Sequence, residues 1–446
     1  DTAAVPKHYA TLPDSANTAK IQWRDYFHDP YLSALIDTAL IHNQELHITL
    51  QEIIIANNEV RARKGEYLPF VNITAGAGAE KVGRYTSQGA NDANTQIKPG
   101  NEFPEPLPDF MAGVTATWEL DIWRKLRHAK KSAVMQYLAT VEGKNFMVTN
   151  LIAEIANSYY ELLALDNQLT IVKQNVSILN DALTVVKQQK QAARVTELAV
   201  RRFEAEALKN ESRQYFIQQQ IVETENRINF LAGRYPQPVQ RDYLTFNALV
   251  PNAIQAGTPA QLLTNRPDVR QAEMKLAAAK LDVAVAKARF YPAVGISAGL
   301  GLQAFNPSYL LRTPESLLYS LTGDLTAPLL NRNAIKATYY NANAQQVQAV
   351  YHYEQTLLNA CIEVANQLSM IANLEKSYAL QARQVQALTE SIDIANVLFR
   401  SARADYMEVL LTQREALESK FELIETKKQQ MNAVVNMYHA LGGGWQ

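Results

Sequence analysis

Cysteine and unbroken apolar runs are the features that this sequence most clearly lacks. Its 446 residues include one cysteine, Cys361, so no disulfide forms within the chain and the redox compartment stays open. No run of 18 or more apolar residues occurs, which excludes a transmembrane helix. The formal net charge is -1, so the sequence offers no basic excess for a nucleic-acid backbone. A membrane-spanning role would therefore require β-strands.

Proline and glycine are nearly absent from long stretches of the chain. From 123 to 193 the only such residue is Gly143, which predicts a helix of roughly 100 Å at ~1.5 Å per residue. Further helices are predicted at about 196–230, 334–400 and 406–441. Helices of this length are typical of coiled coils. Seven-residue steps in the last one agree with that interpretation: Leu410, Leu417, Ile424, Met431 and Tyr438.

Alternation with a period of two residues marks four other segments as strands. From Val294 to Ala304 the even positions are apolar and the odd positions are small or polar. The same pattern predicts strands at about 70–80, 110–121, 293–304 and 318–327. Each is long enough to cross a bilayer when tilted. We expect the even residues of the third segment to face lipid and the odd residues to face a water-filled lumen.

The two halves of the chain resemble each other. LPFVNITAGAG, from Leu68, matches YPAVGISAGLG, from Tyr291, and IAEIAN, from Ile152, matches CIEVAN, from Cys361. We predict an extended N-terminal arm at 1–22, a first repeat at 23–233 and a second repeat at 234–446. Each repeat holds helices, one two-stranded hairpin, a long helix and a return helix. The predicted fold class is mainly α with membrane β.

Four strands are too few to close a barrel within one chain. Unpaired strand edges in lipid cost several kcal/mol for each polar group, so two, three or four copies would share one barrel. A soluble coiled-coil protein or an adaptor would not need four amphipathic strands. An enzyme would need converging polar groups, and we predict no catalytic residue, cofactor or metal site; His42, His47 and Glu45 lack zinc-ligand spacing.

Three segments resemble the outer-membrane channels of tripartite (RND-type) efflux systems, the TolC and OprM-like outer membrane factor family. They are WRDYFHDPYLSALIDTALIHNQEL from Trp23, NRPDVRQAEMKLAAAKLDVAVAKARFYPAVGISAGLG from Asn265, and ALGGGW from Ala440. The resemblance implies a homotrimer whose 12-stranded outer-membrane β-barrel continues into a long periplasmic α-helical barrel. The implied partners are a periplasmic adaptor (membrane fusion protein), an inner-membrane RND-type transporter and outer-membrane lipid, with no nucleic acid.

The function implied by this resemblance is a passive exit duct for drugs, metal ions or other small molecules, with no catalytic step. The alternative is the outer-membrane component of a type I protein secretion system. The resemblance also implies, for many members, a lipid anchor on an N-terminal cysteine. The present sequence starts at Asp1 and does not contain that cysteine.

The resemblance further implies that the helical tips form the periplasmic mouth and contact the adaptor. The family usually has a glycine at each turn, where this chain has Ala193 and Ala402. Alanine is disfavoured at positive φ, so the sequence alone does not determine whether the two turns have the geometry that glycine gives in the family. The predicted adaptor-contacting residues are Ala193, Arg194, Val195, Thr196, Glu197, Leu198, Ala402, Arg403, Ala404, Asp405 and Tyr406.

The predicted aperture lies just beyond the second tip. The family often has a carboxylate where this chain has Leu411, and Glu408 is the nearest acid that replaces it. In a trimer, Met407 and Leu411, one helical turn apart, form stacked apolar rings, unless they are ordinary coiled-coil packing. We expect tip salt bridges from Arg400, Arg403 and Asp405.

Two tryptophans, Trp118 and Trp123, are predicted to mark the periplasmic membrane interface, where tryptophan is enriched. A basic run follows them directly: Arg124, Lys125, Arg127, Lys130 and Lys131. The run suits either the same interface or a solvated helix face.

Overall fold

A computed structural model describes residues 18–251, 256–330, 332–401 and 403–445. The chain divides into two compact units that do not follow the sequence repeat. The first unit comprises Asp1–Glu52, Ala139–Glu273 and His352–Gln446, and the second comprises Ile53–Leu138 and Met274–Tyr351. Each unit therefore contains segments from both halves of the sequence. None of the helices in the described ranges is long and apolar enough to serve as a membrane span.

The first half of the chain runs from short helices through two long strands into a long helix and a return helix. Its elements are α1 (Trp23–Tyr26), α2 (Pro30–His42), α3 (Gln44–Glu66), β1 (Phe70–Glu80), α4 (Ser87–Asp92), β2 (Gln96–Lys98), β3 (Asn101–Glu102), β4 (Leu107–Leu120), α5 (Lys125–Gln191) and α6 (Glu197–Leu231). A short 3₁₀ turn, Thr18–Lys20, precedes them in the segment predicted as an extended arm.

The second half has fewer elements in the same general order, without a counterpart of β2 and β3 among its described residues. Its elements are α7 (Leu262–Asn265), α8 (Pro267–Ala288), β5 (Ala293–Ala304), α9 (Pro307–Leu310), β6 (Leu317–Thr326), α10 (Asn333–Arg400) and α11 (Tyr406–Ala440). The four long strands and four long helices begin and end within three residues of the ranges predicted from periodicity. The mainly helical class and the tandem repeat are confirmed.

Aromatic side chains form much of the core of the first unit. Tyr26 stacks on Tyr438 with ring centroids 4.2 Å apart, and its hydroxyl donates to the carbonyl of Val434 at 3.0 Å. Tyr159 is fully buried, and its hydroxyl donates to Asp29 at 2.8 Å. The residues around α1 are therefore part of the folded core and not a surface extension.

Side-chain caps mark where α2 and α3 begin. Asp29 caps α2, because its carboxylate accepts from the backbone nitrogens of Tyr31 and Leu32 at 2.8 and 3.2 Å. Asn43 separates α2 from α3 in the same way, accepting from the nitrogen of Leu46 at 2.8 Å. The Asn43 amide also donates to the carbonyl of Leu231 at 2.9 Å, so the break is tied to the end of α6.

The second unit contains one four-stranded antiparallel sheet in the order β1-β4-β5-β6. The two predicted hairpins, β1 with β4 and β5 with β6, are joined because β4 also pairs with β5. Gly113 and Gly301 lie opposite each other at that join. A Cβ on Gly301 would lie 2.8 Å from the carbonyl oxygen of Ala112, so this close approach requires glycine. Within the described chain, β1 and β6 each keep one unpaired edge.

The strand register separates the sheet residues into an apolar face and a polar face. One central row of the apolar face contains Ile73, Val114, Leu300 and Tyr319. The neighbouring row of the polar face contains Asn72, Thr115, Gly299 and Ser320. The four long strands carry four charged residues, Glu80, Asp109, Glu119 and Asp324, and the register places every one of them on the polar face.

The start of α5 differs slightly from the predicted helix at 123–193. Asp121 accepts from the backbone nitrogens of Leu126 and Arg127, both at 2.9 Å, and so caps the helix from outside. Arg124 has a φ of 59°, which is incompatible with a continuing helix. The helix therefore begins at Lys125.

Candidate functional site

The first helical tip, residues 189–201, turns through a glycine-type cap that is occupied by alanine. The nitrogen of Arg194 donates to the carbonyl of Gln189, and that of Ala193 donates to the carbonyl of Lys190, both at 2.9 Å. These are the two hydrogen bonds of a Schellman motif, which requires positive φ at the residue after the cap. Ala193 has a φ of 53°. The tip therefore adopts the glycine geometry despite its methyl group.

Ion pairs link the two helices that meet at the first tip. Glu197 binds Lys190 from the preceding helix, and it binds Arg201 at 2.8 Å within its own helix. Arg201 also reaches Glu204 at 2.9 Å. The hydrogen bond from Lys190 lowers the pKa of Glu197, and the positive charge of Arg201 lowers it further. Because these side chains are exposed, the ion pairs position the turn more than they stabilise the protein.

Apolar contacts join the two tips to each other. Val195 of the first tip and Tyr406 of the second tip, residues 398–411, pack partly buried on one small core. The remaining predicted residues of the first tip, Arg194, Thr196, Glu197 and Leu198, are exposed. The shared core comprises Leu179, Val186, Ala199, Val200, Phe203, Ala207 and Leu410. The outer surface of the first tip is thus polar, apart from Leu198, which is 56% exposed.

The second tip uses its predicted charged residues differently from expectation. Asp405 caps α11, since its carboxylate accepts from the nitrogen of Tyr406 at 2.6 Å. Arg400 and Arg403 form no ion pair among the described residues, so the expected tip salt bridges are absent within one chain. The nitrogen of Arg403 donates to the carbonyl of Leu398 at 2.9 Å. Ala402 lies outside the described residues, and Ala404 is half-buried.

Three of the predicted aperture residues, Met407, Glu408 and Leu411, lie on the first two turns of α11. Glu408 and Leu411 are exposed, whereas Val409 and Leu410 between them are buried. Met407 is half-buried, and its sulfur accepts from Arg202 Nη1 at 2.9 Å. The Arg202 contact was not predicted, because nothing in the spacing of either helix links residues 205 positions apart. Leu411 has 39% of its surface exposed.

Both predicted interface tryptophans lie where the strands meet the helices. The Trp118 indole donates to the carbonyl of Tyr67 at 3.1 Å, and the Trp123 indole donates to the carbonyl of Pro292 at 2.8 Å. Trp123 also stacks on Tyr291, with ring centroids 4.7 Å apart. Sequence reasoning missed the two tyrosines, although Tyr67 lies three residues and Tyr291 two residues ahead of a predicted strand. Each tryptophan therefore contacts a segment that leads into a long strand, Trp118 at Tyr67 and Trp123 at Tyr291 and Pro292.

Comparison with known proteins identifies the relatives of this chain. The profile of the family described as outer membrane efflux protein matches residues 35–234 and 258–443. The pyoverdine export outer membrane protein OpmQ of Pseudomonas aeruginosa is 27% identical and aligns over 95% of this chain and 88% of its own length. The cation efflux system protein CusC of Escherichia coli (strain K12) is 25% identical, with coverages of 95% and 88%.

Solved structures share the fold. The outer-membrane channel OprN superposes with a TM-score of 0.86 at 24% identity, covering 99% of this chain and 97% of the other. The open state of the MtrE outer membrane channel of Neisseria gonorrhoeae gives a TM-score of 0.86 at 21% identity, with coverages of 99% and 96%. With the profile match extending over most of both repeats, the chain belongs to the outer membrane efflux protein family.

Proposed function

We propose that three copies of this chain form a passive exit duct, with a 12-stranded barrel in the outer membrane and a helical tube in the periplasm. The duct accepts small molecules from an inner-membrane transporter through a periplasmic adaptor. The observation that carries the proposal is the sheet with two unlike faces and two open edges, β1 and β6. Pairing β1 of one copy with β6 of the next satisfies both edges without a new element.

The distribution of charge supports the orientation of the sheet in such a barrel. All four charged strand residues lie on the polar face, while the opposite face carries apolar side chains such as Ile73, Leu300 and Leu321. These three are between 59% and 85% exposed in the isolated chain, so another apolar phase must cover them. We therefore assign the apolar face to lipid and the polar face to the lumen.

The proposed substrate class of this chain is taken from the substrates in the names of its relatives. They export pyoverdine, cations or toluene, so the proposed cargo is small molecules of this range and not a secreted protein. The family resemblance further suggests a lipid anchor on a cysteine ahead of Asp1. Intact-mass measurement of the mature protein from its host would detect the acyl chains.

The proposed mouth of the duct is the pair of tips. The exposed residues of the first tip and Arg403 of the second are placed against the adaptor. Leu411 and Met407 are proposed to form apolar rings around the threefold axis, bounded by Glu408; the supporting observation is that Leu411 keeps 39% of its surface exposed in the single chain. Because ordinary coiled-coil packing against a neighbouring copy would cover the same surface, the single-channel conductance is needed to separate the two.

Two measurements test the duct. Light scattering of the detergent-solubilised protein should give three chains per particle. Cysteines placed at Thr115 and Val114, in a Cys361→Ser background, should differ in labelling by a water-soluble maleimide in vesicles, with Thr115 labelled and Val114 protected. A monomer without detergent, or the reverse labelling pattern, contradicts the barrel.

A third measurement addresses the aperture. In planar bilayers, Met407→Ala with Leu411→Ala should raise the single-channel conductance, because the apolar rings narrow the pore. Val185→Ala, an exposed apolar position on α5, is the matched control and should leave conductance unchanged. An unaltered conductance in the double variant would exclude these residues from the constriction.

A further inference from the structure

Three exposed cations lie at the start of α5. Arg127 and Lys131 are four residues apart and share one face of the helix, and Arg124 directly precedes the first helical residue. Between 119 and 131 the chain has five basic residues against two carboxylates. Like charges one turn apart repel each other, so an anion bound outside the helix would stabilise this basic stripe.

Both neighbouring carboxylates are already engaged. Glu119 pairs with Lys125 at 2.5 Å. The Asp121 side chain is only 1% exposed, caps α5 and lies 3.7 Å from Arg127 Nε. In the described part of the chain, Arg124 and Lys131 have no ion-pair partner. These two cations are therefore available to an external anion.

Aromatic contacts place the stripe beside the apolar face of the sheet. The Arg127 guanidinium lies 5.2 Å from the centre of the Tyr67 ring and donates to its hydroxyl at 2.9 Å. Trp118, a residue of the apolar face, donates to the Tyr67 carbonyl. A cation stacked on an aromatic ring at the rim of a lipid-facing surface is the arrangement found at headgroup level in membranes.

The second repeat contains a similar contact between an arginine and an aromatic ring. The Arg332 guanidinium lies 5.2 Å from the centre of the Phe290 ring and donates to the Phe290 carbonyl at 3.0 Å. Tyr67 and Phe290 each stand three residues before their strand. One turn after Arg332, Lys336 is exposed and has no ion-pair partner among the described residues. Because the contact occurs in both halves, a chance placement of one basic run does not account for it.

We propose that the basic stripe binds the phosphate groups of anionic phospholipids, with phosphatidylglycerol as the occupant, in the leaflet at the helix end of the sheet. The proposal rests on the membrane orientation given under Proposed function. A phosphodiester carries one negative charge and accepts the paired hydrogen bonds that an arginine fork donates. Each cation near an anionic membrane surface contributes about fivefold in binding at low ionic strength.

Brominated lipids provide the test, because bromine quenches tryptophan fluorescence only at contact. Trp118 and Trp123 lie at the same end of the sheet as the basic stripe. The trimer is reconstituted with brominated phosphatidylglycerol or brominated phosphatidylcholine, and the quenching curves give the relative binding constant. We expect the wild type to prefer phosphatidylglycerol about tenfold at low salt, and Arg124→Gln with Lys131→Gln to lose most of that preference. Arg124→Lys with Lys131→Arg keeps the charges and should restore it.

The matched control removes two exposed lysines from the same helix within the first unit, Lys173→Gln with Lys187→Gln, and has the same net charge as the test variant. Its lipid preference should equal that of the wild type. Equal quenching by both lipids in the wild type, or an equal loss in the control, overturns the headgroup site. Competition by free glycerol phosphate would also overturn it, since the site would then bind a soluble anion. The conductance of the same preparations separates failure of the lipid site from failure of the duct. If the channel conducts but shows no lipid preference, the lipid site is contradicted and the duct is not.

Discussion

A single charge on the apolar face of the sheet tests how the protein sits in the membrane. Val114 lies near the middle of β4, in one row with Ile73 and Leu300, and 43% of its surface is exposed in the isolated chain. Thr115, the next residue along the strand, lies on the polar face. The two positions share one depth and one strand and differ in the face that they occupy.

The expected magnitude follows from that geometry. An arginine on the lipid face of a barrel costs about 2–4 kcal/mol at the bilayer midplane, and three copies of Val114→Arg would cost about 6–12 kcal/mol per trimer. Thr115→Arg projects from the polar face into water. Its cost should be close to zero. At about 1.4 kcal/mol per tenfold change, the two variants differ by more than tenfold in folding equilibrium per chain.

Two assays measure the difference. The first is the fraction of protein recovered from outer-membrane extracts as a trimer that resists SDS without heating. The second is the guanidinium midpoint for unfolding from lipid vesicles. Val114→Leu is the control for local packing and should behave like the wild type in both.

The result that would refute the orientation is equal loss of trimer in the two arginine variants. A larger loss in Thr115→Arg than in Val114→Arg would reverse the assignment of the faces. Either result would also remove the basis for placing the basic stripe at a lipid surface.

Two further predictions concern the helices. Ala193→Gly should slow hydrogen exchange at the amide of Arg194 about fivefold, because glycine removes a left-handed backbone strain of about 1 kcal/mol. The control, Ala192→Gly, should accelerate the same exchange, and equal effects of the two substitutions would contradict the cap. Burial lowers the pKa of the His439 imidazole, and the positive charge of Arg266 lowers it further. The folded state therefore resists protonation, so the melting temperature should fall as pH drops below about 6.5, and His439→Gln should flatten that slope even if it melts lower throughout.

Long elements were predictable because their signals extend over many residues. A period of two over ten residues and the absence of breakers over seventy located the strands and helices to within three residues. The exact start of α5 was not predictable, because it depends on the Asp121 cap and on the positive φ of Arg124, which sequence spacing does not encode. The union of both hairpins into one sheet follows from the close approach of Gly113 and Gly301, which is visible only in three dimensions.

Contacts at the tips were harder to predict because they join residues far apart in sequence. The charges of Arg400, Arg403 and Asp405 suggested a local network, but Asp405 binds the helix end and the network forms around Glu197 in the other tip. A short polar side chain ahead of a helix is more strongly favoured as a cap than as a partner for a long, solvated arginine, since the cap satisfies a backbone donor at little entropic cost.

Ala193 shows how backbone hydrogen bonds outweigh a side-chain preference. The helix end leaves carbonyls without partners, and the two bonds from Ala193 and Arg194 satisfy those of Lys190 and Gln189. The two bonds together contribute about 2 kcal/mol, which matches or exceeds the strain of about 1–2 kcal/mol for one alanine at a φ of 53°. A methyl group therefore does not change the path of the turn. It raises the energy of a turn that Val195 and the Glu197 ion pairs hold in place.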